Sequence, residues 1–137
     1  EINYSLIEAM AEESTVPITY GGGLFSIDVV DRIMACGVEK VSFQRSFFEN
    51  RELLKEVASI YGRQSIVVSL DLHSSGADGY CCRGSKSKIL DSKQIGSICE
   101  TASQFGEVFV MSVDKEGTGA WIHGTDHQVW VDSRGAL

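Results

Sequence analysis

Ser65-Ile66-Val67-Val68-Ser69-Leu70-Asp71-Leu72 is the most strand-like stretch of the chain, and its reading decides the fold. Its apolar residues are nearly continuous, which predicts a parallel strand covered on both faces. Just upstream, Asn50 caps an expected helix whose stripe is Leu53, Leu54, Val57, Ile60 and Tyr61, with Gly62 as its stop. Before that, Lys40-Val41-Ser42-Phe43-Gln44 reads as a strand. It follows a helix running from a Ser26 cap to Cys36, with Val29, Val30, Ile33 and Met34 on the apolar face and Gly37 ending it. Residues 16–23 (VPITYGGG) read as another strand stopped by glycines, and residues 3–14 as a helix carrying Leu6, Ile7 and Met10.

Downstream, a polar excursion from Ser74 to Lys88 is expected to hold a small hairpin around residues 76–79. Asp91 with Gln94 then forms a capping-box start for a helix with Ile95, Ile98, Cys99, Ala102 and Phe105 facing inward. Glu107 to Val113 is the next strand, ending at Asp114. Strands alternating with helices of this length indicate βαβ units and a parallel sheet. Right-handed crossovers put every helix on one side if that sheet curls towards a barrel. After Gly119 the rhythm breaks; Val129-Trp130-Val131 is at most a short extra strand.

The chain has 137 residues, 43% of them hydrophobic and 23% charged, which fits one globular domain with its own core. Twelve basic against nineteen acidic residues give a formal charge of −7, which argues against nucleic acid or an anionic membrane as partner. No apolar run approaches the ~20 residues of a membrane span, and no secretory leader pattern opens the sequence, so a cytoplasmic setting is expected. Cys36, Cys81, Cys82 and Cys99 show no Cys-x-x-Cys spacing. Neighbours such as Cys81 and Cys82 point to opposite faces of a strand, so reduced thiols are expected rather than a disulfide or chelate.

Polar residues gather where the strands end: Gly21-Gly22-Gly23, Gln44-Arg45, Asp71 and Asp114. In parallel α/β folds ligands bind at that face. Gly22 and Gly23 expose backbone N–H groups before a helix, an arrangement suited to a phosphate and equally to a plain tight turn. Asp71 is a carboxylate on an apolar strand, fit for acid–base work or for capping a loop. Asp114 and Glu116 repeat the pattern in the next unit. Arg83, Lys86 and Lys88 make a small basic cluster on the excursion, a solvated face or a grip on an anion. His123 and His127 stand four apart, but Gly124 and Thr125 argue against the helix a metal pair needs. Neither a metal nor a cofactor is expected.

Four segments taken in order carry a family resemblance: residues 17–23 (PITYGGG), 36–42 (CGVEKVS), 64–71 (QSIVVSLD) and 112–118 (SVDKEGT). Together they resemble the cyclase subunit of imidazole glycerol phosphate synthase, and most of all its paralogues paired with amidotransferases in surface-sugar biosynthesis. The family is a (βα)8 barrel of the TIM type. The resemblance covers residues 2 to about 119 and matches the third to sixth strands, so a half-barrel with helices outside is implied, residues 120–137 being a divergent tail.

The resemblance implies that Asp71 matches a catalytic aspartate and that Gly22 and Gly23 match part of a phosphate site. Lys40 matches a barrel-floor lysine that gates ammonia, while Glu39 and Gln64 match positions facing a glutaminase partner. Gln44-Arg45 replaces an Asn-Thr pair of the phosphate site, His73 stands where a basic residue is common, and Glu116 stands where an aspartate is usual. Two functions follow as expectations. One is a half-barrel relative that binds a phosphorylated small molecule and has cyclase or lyase activity only as a homodimer. The other is a non-catalytic, self-associating relative that binds at most phosphate compounds. In the expected dimer, two bare sheet edges pair and rebuild eight strands. The second Asp71 then takes the place of the family's first-strand aspartate, and the second Gly22, Gly23 and Arg45 that of its second phosphate site.

Overall fold

The computed structural model describes residues 1–75, 80–82, 84 and 90–115. In chain order its elements are α1 (Tyr4–Glu13), β1 (Thr19–Gly21), α2 (Ile27–Ala35), β2 (Lys40–Phe43), α3 (Arg45–Glu49), α4 (Arg51–Tyr61), β3 (Ile66–Ser74), β4 (Tyr80–Cys82), α5 (Ser92–Ser103) and β5 (Glu107–Ser112). Short 3₁₀ turns at Arg63–Ser65 and Val113–Lys115 flank β3 and β5.

Helices start where capping chemistry puts them. The Asn50 side chain accepts from the Leu53 N–H at 3.4 Å. Asp91 accepts from the Gln94 N–H at 2.7 Å while Gln94 accepts from the Asp91 N–H at 2.9 Å, a complete capping box. Ser26 stands at the α2 N-cap, yet its hydroxyl makes no bond to the helix end.

β1, β2, β3 and β5 are parallel sequential neighbours in the sheet, Gly21 aligning with Ser42, Ser42 with Val67, and Val67 with Glu107. Each crossover carries helix, so the arrangement is a mixed α/β fold of the partial TIM-barrel kind. Leu72 pairs with Ser112 on one edge and with Cys82 on the other. Antiparallel β4 therefore continues the β2-side edge of β3 past the last β2 pairing at Val68. The expected hairpin is thus present; its tip, residues 76–79, and the tail with His123 and His127 lie outside the described residues.

Alternation along the strands sets the core. Val41, Phe43, Ile66, Val68 and Leu70 are buried against Val30, Ile33, Leu53, Leu54, Val57, Ile95, Cys99 and Ala102 of the helices. The residues between them, Ser42, Val67, Ser69, Asp71 and His73, are only half-buried, and Phe109 on that face is 45% exposed. The β3 sequence led to an expectation of cover on both faces; the described residues cover one.

Other boundaries move for local reasons. β3 continues to Ser74 because β4 supplies ladder partners, so Asp71 lies within the strand instead of closing it. β1 keeps only Thr19–Gly21 of the expected run. Val113 leaves β5 for the following 3₁₀ turn. Leu6, Met10 and Ile60, read as inward-facing, are each 55% exposed. The five-residue α3 went unread, although its Phe47 is fully buried beside Phe48 and Phe105.

Candidate functional site

Parallel pairing gathers the C-terminal ends of β1, β2, β3 and β5 at one rim. Gly22 and Gly23 follow β1 with φ of +105° and +70°, conformations that a side chain would strain. A Cβ on Gly22 would meet nothing within 4 Å, so the turn opens to solvent. The two glycines line an open cleft of about 610 Å³ with Tyr4, Tyr20, Phe25 and Arg32. The Arg32 guanidinium lies 3.9 Å above the Tyr4 ring centroid. Sequence reading missed Arg32, which lines the same cleft, because only the packing of α1 on α2 brings it there.

At the end of β2, Gln44 is the half-buried N-cap of α3 and Arg45 begins that helix. The Arg45 Nε lies 3.1 Å from Glu49 Oε1 in an exposed pair one turn apart. Such a pair is worth about 0.3–0.5 kcal/mol, little obstacle to an incoming anion.

Asp71 and His73 sit two residues apart on the face turned from the helices. Asp114, in the 3₁₀ turn after β5, accepts from the Ser74 N–H through Oδ2. Its Oδ1 lies 3.6 Å from His73 Nδ1. The rim thus holds two carboxylates and an imidazole from β3 and the β5 turn. Glu116, Arg83, Lys86 and Lys88 fall outside the described residues.

Below the Asp71 rim, Cys82 is 4% exposed on the helix side. Burial first, then Cys99 and Asp71, push its thiol from an ordinary 9.0 up to about 11. Cys99 is raised by burial as well. None of the four cysteines is in a disulfide. Among the described residues no His, Cys, Asp and Glu cluster could hold a metal ion.

The opposite rim has its own chemistry. Lys40, first residue of β2, pairs through Nζ with Glu107 Oε1, first residue of β5, across the intervening β3. Gln64 and Glu107 line a cavity of about 240 Å³ with Arg63 and Gly106, while Glu39, which precedes Lys40 in sequence, is exposed. Lys40 was read as a site residue from the sequence and Glu107 was not. The two are 67 residues apart, and only the sheet register joins them.

Among the described residues, no helix is long and apolar enough to cross a membrane. Two imidazole glycerol phosphate synthase HisF subunits from Lactococcus lactis are similar to the chain. That of subspecies lactis is 38% identical over 122 residues, 86% of this chain and 47% of the relative. That of subspecies cremoris is 35% identical over 122 residues, 86% of this chain and again 47% of the relative. A Vibrio vulnificus chain, provisionally named as a subunit of the same synthase, is 36% identical over 121 residues, 85% of this chain and 46% of that one. The chain spans about half the length of the curated relatives it matches. The family model for histidine biosynthesis proteins matches residues 1–131, and with the sequential parallel sheet it shows that the chain belongs to the histidine biosynthesis protein family, as a partial HisF-like relative.

Proposed function

We propose that the chain binds a phosphorylated small molecule at the C-terminal rim of its sheet. Asp71 is the acid–base group there, in a reaction of the cyclase or lyase type that the family resemblance implies. The observation that carries this reading is the common rim: the Gly22–Gly23 turn and Arg45 follow β1 and β2, and Asp71 lies in the C-terminal half of the adjacent parallel β3. Backbone N–H groups of the glycine turn, Arg32 in the cleft that the turn lines, and the exposed Arg45 guanidinium after β2 supply the charge complement for phosphate. Asp114 completes the face beside Asp71. Glu39, Lys40 and Gln64, at the other rim, form the surface for a glutaminase subunit.

In the 137-residue chain on its own, β1 and β5 each pair along one edge only among the described residues, and Phe109 of β5 is exposed on the face turned from the helices. A second copy covers this face in the proposal, edge to edge, giving two-fold closure and two Asp71 carboxylates over one mouth.

Thermal melting against inorganic phosphate and pyrophosphate, with sedimentation at micromolar concentration, tests both parts. A melting temperature that climbs with either ligand, and less steeply in Arg45→Ala, supports the phosphate site. No climb with either ligand overturns it, and a monomer overturns the shared mouth. Asp71→Asn should leave dimer and phosphate binding intact while abolishing any turnover.

A further inference from the structure

The β3–β4 ladder places Cys81 directly opposite His73. Side chains opposite one another in an antiparallel pair share a face, with Cβ atoms about 4.5–5.5 Å apart. Leu72 and its partner Cys82 turn towards the helices, where Cys82 is buried, so His73 and Cys81 both turn to the uncovered face. His73 presents Nδ1 to Asp114 Oδ1 at 3.6 Å, and the Ser74 N–H fixes that carboxylate through its other oxygen. A thiol, an imidazole and an anchored carboxylate therefore stand in a row, supplied by β4, β3 and the turn after β5.

We propose that Cys81, His73 and Asp114 form a thiol-addition site for an aldehyde or ketone metabolite. The Asp114 carboxylate, 3.6 Å from Nδ1, favours the proton on that nitrogen by charge attraction and leaves Nε2 to act as the base. Nε2 takes the proton as the Cys81 S–H bond breaks. The sulfur electron pair forms a bond to the carbonyl carbon, and the C=O π pair moves to oxygen. That oxygen receives the proton back from Nε2, giving a neutral hemithioacetal. The step is reversible and needs no oxidant or reductant. Cys81 is half-buried and reachable, whereas Cys82 and Cys99 are buried. Asp71, two residues before His73, is the other charged group described on this stretch of β3. The site rests on β3, β4 and the β5 turn alone, and does not depend on phosphate binding at the Gly22–Gly23 turn.

The test follows alkylation of each cysteine by iodoacetamide in the full 137-residue chain, read peptide by peptide by mass spectrometry at pH 7. The expected result is that Cys81 reacts fastest of the four and that His73→Gln slows it roughly ten-fold, because the base that opens the thiol is gone. Glycolaldehyde added beforehand should protect Cys81 reversibly in the wild type and less in His73→Gln. Asp114→Asn, which keeps an acceptor for the Ser74 N–H, should slow Cys81 by a smaller factor and serves as the deciding variant if His73→Gln does not fold. Equal Cys81 rates in wild type and the deciding variant, or no protection by glycolaldehyde, overturn the proposal.

Discussion

Lys40 and Glu107 join β2 to β5 by an ion pair that passes over β3, tying together the starts of two strands that are not neighbours. Their side chains are 27% and 42% exposed, so water weakens the pair. Its contribution should be modest. Lys40→Met and Glu107→Gln should each cost under about 1 kcal/mol, with a coupling in a double-mutant cycle of roughly 0.2–1 kcal/mol that shrinks with salt. Urea unfolding at low and high ionic strength measures this. A coupling that survives high salt unchanged would mean the pair is far drier than its exposure indicates.

Three helix starts should differ in what they lose on truncation. Asn50 and Asp91 both bond their helix ends, so Asn50→Ala and Asp91→Ala should each cost about 1 kcal/mol. Ser26 occupies the same position in α2 without a side-chain bond to it, so Ser26→Ala should cost less than half as much. Denaturant midpoints of the three variants decide the order, and an equal loss at Ser26 refutes it.

Two glycines near β5 should respond with opposite signs. Gly96 lies inside α5, where a Cβ would meet nothing within 4 Å. Gly96→Ala should therefore stabilise the chain by about 0.5–1 kcal/mol through helix propensity. Gly106 precedes β5 so closely packed on β3 that a Cβ would fall 2.2 Å from the Ile66 carbonyl oxygen. Backbone cannot step aside cheaply there, and Gly106→Ala should cost about 1–3 kcal/mol. Thermal melts of both variants read the signs directly.

How much was legible in the sequence depended on the range of the interaction concerned. Asn50, Asp91 and Gln94 reach partners three residues away, so their caps could be read from spacing alone. The parallel strands were equally readable, because short apolar runs alternate with helix-length segments along the chain. The mouth was harder. Arg32 meets the glycine turn only through the packing of α1 on α2, and His73 meets Cys81 only through the β3–β4 register. α3 was hidden by its length: in Arg45–Glu49 five residues give one turn, too little for a period to show. The run of apolar residues in β3 was over-read. Such a run reports what a strand can tolerate, and the face carrying Ser69, Asp71 and His73 is the one turned from the helices.

The buried thiols make stability depend on alkaline pH. Cys82 is protonated in the folded chain up to about 11, against 9.0 for an ordinary thiol. Between those values the unfolded chain has lost a proton that the folded chain keeps, so stability falls as pH rises. The contribution is whole below pH 9 and gone above about 11. A gap of that size is worth about 2–3 kcal/mol at most. Cys99, raised by burial, pulls in the same direction, as does Tyr61, whose hydroxyl donates to Asp31 Oδ1 at 2.7 Å. Urea midpoints at pH 8, 9, 10 and 11 should therefore decline, most steeply over the last two steps. Cys82→Ala should begin lower at pH 8, having left a small cavity, but should decline less from there on. Asp31→Asn removes the carboxylate that holds the Tyr61 proton and should flatten only the Tyr61 share of the slope. A Cys82→Ala profile parallel to wild type would show that Cys82 ionises in the folded chain as it does in the unfolded one, and that the slope comes from elsewhere.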